Sequence, residues 1–194
     1  MGAGAQELAT LPARLETVLE INRQLSRIQP LEALLGNMAE ACGHLLDSDS
    51  VGIRVVEGDE LVLTGVWGDA RAAMPTPRIK VGESLSGVVA ATGRPLLVSD
   101  PANDPRLMPT HREPYQRAGY RAFLGVPLKL GEQVLGVLSS RTRREHGFSE
   151  DDLSIATAFA GQAAIALEHA RLYRQAEARA EKLRESRRSK TLRA

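Results

Sequence analysis

The sequence predicts a mixed α/β (α+β) chain in which antiparallel strands are bracketed by helices, and three observations carry that expectation. Val51 to Val56 and Leu61 to Trp67 are rich in β-branched and aromatic residues and are joined by Glu57-Gly58-Asp59-Glu60, the pattern of a hairpin. Ala122 to Leu130 and Gln133 to Ser140 repeat it across Gly131-Glu132. Apolar residues recur at helical spacing before the first pair and after the second. With 194 residues, 43% of them hydrophobic, the economical arrangement is one core with some chain left over.

In chain order, Leu8, Leu11, Leu15, Val18, Asn22 and Leu25 alternate spacings of three and four, the seam of a coiled coil with Asn22 at a core-type position. A polar residue there favours the register in which two copies face each other, so homodimerisation is one reading and a helix lying on its own domain is the other. Pro30 separates this segment from Leu31, Leu34, Leu35, Met38, Cys42 and Leu45, the apolar face of a second helix. Cys42 reads there as a small buried hydrophobe. Pro127 lacks a donor, which places an edge or a bulge in its strand. Between the hairpins come Pro75-Thr76-Pro77, a strand-like Arg78 to Val81, a glycine turn, a short helix through Ala91 and a strand from Leu96 to Ser99. Ser149 and Asp152 form a capping box, Phe148 and Leu153 a hydrophobic staple, at the start of a final helix. Its apolar positions, Leu153, Ala156, Ala160, Ala163, Ala164 and Leu167, are mostly small and suit close helix contacts. They thin into a charged tail from Arg179 to Arg193.

The 25 basic and 24 acidic residues nearly cancel, so no global field recruits nucleic acid or an anionic membrane. One cysteine forms no intrachain disulfide or multi-thiolate metal site, and His44, His111, His146 and His169 are scattered. No leader pattern and no run of about 18 apolar residues is present, so a cytoplasmic protein is expected.

Gly82-Glu83-Ser84-Leu85-Ser86-Gly87-Val88-Val89, closed by Gly93-Arg94-Pro95-Leu96-Leu97-Val98-Ser99-Asp100 and answered by Leu124-Gly125-Val126-Pro127-Leu128, resembles the core of a GAF domain. Gly131, Gly136-Val137-Leu138, Phe148-Ser149-Glu150-Asp151-Asp152 and Glu168-His169-Ala170-Arg171-Leu172-Tyr173 fall where that family places similar residues. The resemblance runs from about Leu31 to Tyr173. It divides the chain into a dimerisation helix (1–29), a GAF-like sensory domain (30–173) and a helical extension with a basic tail (174–194). It implies a central antiparallel sheet with the terminal helices on one face and a loop- and helix-covered ligand pocket on the other. It also implies that the terminal helices of two copies pack together and carry a signal onward.

The segment from Asp100 to Tyr120 gathers polar, basic and aromatic groups in an expected irregular stretch where the family has its ligand lid. Arg106, Arg112 and Arg121 suit bidentate hydrogen bonds to an anion, and His111 or Tyr115 suits its orientation. In the alternative, Asp100 and Asp104 shape the turn and the arginines are solvated. The candidate ligand-binding set is Trp67, Asp100, Arg106, His111, Tyr115, Tyr120, Arg121 and Leu124; the candidate dimer interface is Leu11, Leu15, Val18, Asn22, Leu25, Ala160 and Leu167.

Family chemistries sort against these residues. Haem on His111 is not expected among arginines and prolines, and Cys42, followed by Gly43, does not match the cysteine that attaches a linear tetrapyrrole. The cyclic-nucleotide pattern is half met by Arg141-Thr142-Arg143-Arg144, Phe148 and Asp152-Leu153. Free methionine sulfoxide reduction needs several cysteines. The Gly82–Gly87 turn lacks the Lys-Ser/Thr ending of a phosphate-cradling P-loop. His169 lacks the surroundings of a phosphoacceptor. The expectation is therefore a non-enzymatic, homodimeric sensor of an unidentified small molecule, without cofactor or metal, coupled to an output domain or partner such as a kinase or regulator outside this chain. The alternative is a structural dimerisation or scaffold module with an empty pocket. Nucleic-acid binding through the basic tail is not expected.

Overall fold

The computed structural model describes residues 31–74 and 76–191. The seam positions Leu11, Leu15, Val18, Asn22 and Leu25 lie outside them.

Helix α1 (Leu31–Leu45) leads into the hairpin β1 (Ser50–Glu57) and β2 (Glu60–Gly68). A short helix α2 (Ala70–Ala73), strand β3 (Arg78–Lys80), helix α3 (Ser84–Thr92), strand β4 (Leu96–Val98), a 3-10 turn (Pro101–Asn103) and helix α4 (Pro109–Ala118) follow. The second hairpin, β5 (Ala122–Leu130) and β6 (Gln133–Thr142), feeds the long helix α5 (Glu150–Thr191). The six strands form one sheet in the order β3-β2-β1-β6-β5-β4, with every neighbouring pair antiparallel. The central β1–β6 ladder fuses the two predicted hairpins, with Gly52 opposite Ser139 and Arg54 opposite Val137.

Strand alternation gives the sheet two different faces. Val51, Ile53, Leu124, Val126, Leu128 and Leu138 meet Leu35, Ala39 and Cys42 of α1 and Ala156, Ala160, Ala163, Ala164 and Leu167 of α5 in one buried cluster. The alanines hold α5 close to the sheet, and each contributes apolar area without side-chain entropy. This corrects two expected interface residues. Ala160 and Leu167 are buried in the domain's own core, and among the described side chains of α5 the large apolar ones left exposed are Ile165, Leu172 and Tyr173. Leu45 also departs from its expected inward face: α1 ends there, and Leu46 turns into the core instead.

Gly43 is required where α1 crosses β2. A Cβ at that position would lie 2.1 Å from Cε3 of Trp67, so only glycine admits the indole. At the start of α5, Ser149 Oγ accepts from the Asp152 amide at 3.1 Å and Asp152 Oδ2 accepts from the Ser149 amide at 2.8 Å, the reciprocal box read from sequence. For Pro127 the edge alternative is met, while Pro127 itself stays in register opposite Val137. β4 pairs only with Phe123 to Gly125, which leaves β5 an edge beyond them, and the β5–β6 register slips between Leu128 and Lys129.

The opposite face is covered by α2, α3, the 3-10 turn and α4. The stretch expected to be irregular thus contains a ten-residue helix. Pro109 occupies its first turn, where no amide is needed, and Pro114 frees only the carbonyl of Thr110, an exposed residue.

Candidate functional site: a cationic chamber under the lid

The chamber-facing residues of the central strands are unusual for a sheet interior. On β1 they are Ser50, Gly52 and Arg54; on β6 they are Val137, Ser139 and Arg141. The small pair Gly52 and Ser139 leaves room between two arginines, each only 1% exposed. Arg54 donates to three backbone carbonyls, those of Thr76 at 2.8 Å, Pro77 at 2.9 Å and Leu61 at 3.3 Å, while its Nε has no partner. Arg141 donates from Nε to Tyr115 Oη at 2.6 Å and from Nη1 to Ser50 Oγ at 3.4 Å. Its Nη2 reaches Ser139 Oγ at 3.1 Å and Met74 Sδ at 2.9 Å. The Arg141 guanidinium also lies 5.5 Å from the Tyr115 ring centroid and 5.7 Å from that of Phe123.

Helix α4 supplies the roof. His111 and Tyr115 stand one turn apart, four residues along the helix, so both point down while Arg117 remains exposed. His111 is 3% exposed; its Nδ1 lies 3.4 Å from Ser84 Oγ and its Nε2 has no partner. Ser84 opens α3 with φ of 59°, a strained value for a residue with a Cβ. The glycine turn before it is structural: Gly82, at φ 93°, donates its amide to the Gly87 carbonyl at 2.9 Å.

Among the described residues no carboxylate pairs with Arg54 or Arg141, whose partners are carbonyls, hydroxyls, a phenol and a thioether. Burial, then the neighbouring Arg141 charge, lowers the Arg54 guanidinium to about 10. Burial, then Arg54 and Arg141, pushes His111 down to about 4, which leaves its imidazole neutral at pH 7. Two like charges held out of water without a counter-ion are costly, and dipoles offset the cost only in part. These groups enclose a cavity of about 10 Å³, on the scale of a single water.

A second network closes the rim. Tyr120 Oη donates to Asp69, and Arg143 spans Asp69 and Asp49 while its guanidinium sits 5.1 Å from the Tyr120 ring centroid. One residue on, Arg144 pairs with Asp152 in the first turn of α5 at 3.1 Å. The end of β6 therefore touches chamber, rim and long helix in succession.

Of the predicted ligand-binding residues, the structure brings His111 and Tyr115 into the chamber and Tyr120 to its rim. Asp100 is exposed and accepts from Asn103, Arg106 is paired with Asp104 at 2.6 Å, and Arg121 lies exposed beside a shallow hollow near Phe148. Trp67 and Leu124 are on the other face, Trp67 against His44 with ring centroids 5.0 Å apart and Leu124 in the helix-side core. For Trp67 the cause is a bulge: Ile53 pairs with Gly65 but Arg54 with Leu63, so the extra residue, Thr64, reverses which face the end of β2 presents. Arg54 and Arg141, which line the chamber, were not among the predicted residues. The available signal was a charged residue within the apolar run Val51 to Val56.

A larger hollow of about 490 Å³ lies on the helix side, between Leu31, the first hairpin and Arg171. Its charged lining, Glu32, Glu57, Arg71, Glu168, Arg171 and Arg174, balances acids against bases and is mostly exposed, with Glu168 and Arg171 paired at 2.8 Å, so the chamber with its buried unpaired cations is the stronger candidate.

Residues 29–168 match the profile of the GAF domain, and the chain belongs to that family. It is 28% identical over 126 residues to the Nif-specific regulatory protein of Herbaspirillum seropedicae, covering 64% of this chain and 23% of that protein. The chain thus spans about a quarter of that relative's length. Among solved structures it is similar to the GAF domain of a phosphoenolpyruvate-protein phosphotransferase from Coxiella burnetii, with a TM-score of 0.67 and 24% identity over 82% of this chain and 95% of that one. It also resembles free methionine-R-sulfoxide reductase from Neisseria meningitidis in complex with its substrate, with a TM-score of 0.63 and 23% identity over 79% and 87%. These structural likenesses concern the fold. Among the described residues no helix is long and apolar enough to cross a membrane.

Proposed function

We propose that this chain is a ligand-sensing regulatory domain that works as a homodimer and passes chamber occupancy through its terminal helices to an output domain or partner. The observation that carries the reading is the lidded chamber with uncompensated cations, linked through Arg141, Arg143 and Arg144 to the first turn of α5. A ligand that binds one arrangement of these contacts better than another shifts the equilibrium between them. The regulatory relative supports the role, and the apolar side chains exposed on α5 support a partner helix. A non-enzymatic role is supported by Cys42, the chain's sole cysteine, which is buried on the helix side with its thiol pushed up to about 12 and so supplies no thiolate to the chamber.

A scaffold role is the second reading, favoured by how little space the chamber leaves. One experiment separates them. Hydrogen exchange of the purified chain, with and without small metabolites that raise its melting temperature, should slow α4 and the beginning of α5 together. A ligand at a hundredfold excess over its dissociation constant stabilises the fold by about 2.7 kcal/mol. If no metabolite stabilises the protein, or protection stays confined to the far end of α5, the scaffold reading replaces the sensor.

A further inference from the structure

We infer that the chamber is a receptor for a compact dianion, gripped by Arg54 and Arg141 from the sheet and by His111 from the lid, with Met74 as the plug that the anion displaces. This deepens the sensor reading and rests on it. Arg54 and Arg141 lie on one face of adjacent strands and border the same cavity, although their backbone positions are four residues apart along the ladder, about 13 Å. Their side chains converge from opposite ends. Two positive charges enter that space and, among the described residues, no negative one accompanies them, so a bound group carrying two negative charges completes the balance. Guanidinium forks recognise carboxylate and phosphate oxygens through paired hydrogen bonds, stronger than those to neutral acceptors.

The present partners leave capacity for such a ligand. Arg54 Nε and His111 Nε2 have none, and both side chains line the cavity. A neutral imidazole donates from one nitrogen, and with Nδ1 accepting from Ser84 Oγ the Nε2–H is free to donate to an oxyanion. Arg141 Nη2 spends one donor on Met74 Sδ, a weak acceptor that an oxyanion outcompetes. Met74 Cε sits where a Cβ on Gly52 would be, 2.5 Å away, so the thioether fills the gap between the two guanidiniums. Met74 also belongs to the connection between α2 and β3 rather than to a regular element, so its withdrawal disturbs no ladder. The room created is that of an unbranched side chain, which sets the ligand as small: a short dicarboxylate or a phosphate.

The test titrates the full chain with succinate, with inorganic phosphate and with succinamide, the neutral counterpart of succinate, following melting temperature and calorimetric heat. Succinate or phosphate should bind saturably and succinamide should not; the two anions separate the dicarboxylate from the phosphate. R54Q keeps a donor for the Thr76 and Pro77 carbonyls, and R141M replaces a buried charge by an apolar chain of similar length. Each should weaken anion binding at least tenfold while circular dichroism and native mass stay those of the wild type. M74A should bind the anion more tightly, because the space is already open. Anion binding unchanged in both arginine variants overturns the inference. A neutral metabolite that protects α4 equally in wild type, R54Q and R141M ends the dianion assignment while sparing the sensor; a protein stabilised by no anionic or neutral metabolite loses both.

Discussion

Arg141 and Tyr115 bond the centre of the sheet to its lid, with Arg141 Nε donating to the phenolic oxygen at 2.6 Å across 26 residues of sequence. Neither group is solvated. The bond is therefore made in a low dielectric and is costly to leave unmade. Tyr115→Phe preserves the ring, its packing and the cation-π contact but strands a buried donor. The expected loss is about 1–3 kcal/mol in urea unfolding, with faster hydrogen exchange in residues 109–118 than in the β1–β6 ladder. Unchanged exchange in the lid would show that packing alone holds it.

His111 makes stability depend on pH in a defined window. Its folded-state value of about 4 lies below the ordinary 6.5, so between these values the unfolded chain binds the proton and the folded chain does not. Stability should fall as pH drops from about 6.5 toward 4, by an amount on the order of a few kcal/mol across the window. His111→Phe should flatten that portion of the profile relative to wild type. An identical acid limb in the variant would assign the loss to other groups.

Gly43→Ala should destabilise the fold without touching the chamber. The added methyl would fall on the Trp67 ring, which the surrounding core holds in place, and overpacking of this kind costs about 1–3 kcal/mol. Chemical denaturation measures the loss, and tryptophan fluorescence reports the shifted indole. A wild-type midpoint would mean that the indole moves aside freely.

Leu172→Glu tests the proposed dimer. Leu172 is 50% exposed on the part of α5 beyond the core, next to Tyr173 and two turns from Ile165. A charge there is tolerated by an isolated helix but costly in an apolar seam. Sedimentation should show a shift from dimer to monomer with an unchanged melting profile for the sheet. A dimer that persists moves the interface elsewhere.

The elements legible in sequence were those that local interactions specify. Two hairpins, the Ser149–Asp152 box and the glycine turn each close within a few residues, and their chemistry is written in adjacent positions. The chamber is not of that kind. Arg54 and Arg141 share a face only because β1 pairs with β6, and that register is set by the whole sheet. The lid arginines looked like the anion receptors because they cluster along the chain. Folding instead pairs Arg106 with Asp104, leaves Arg121 exposed, and brings distant arginines inward without a carboxylate partner among the described residues. Trp67 was placed on the wrong face because a single bulged residue reverses alternation, a displacement that a periodic reading of β2 does not contain.

Helix α5 is anchored to the sheet through Leu167, exposed from Arg171 to Lys182, and continuous to Thr191. At 1.5 Å per residue, the stretch from Arg171 to Thr191 extends about 32 Å from its anchorage. A rigid rod pivoting by about 5° at that fulcrum sweeps its tip through about 3 Å, enough to change which side chains of a neighbouring helix it meets. Displacements at the Arg144–Asp152 joint too small to disturb the sheet thus gain leverage with every turn of helix beyond it.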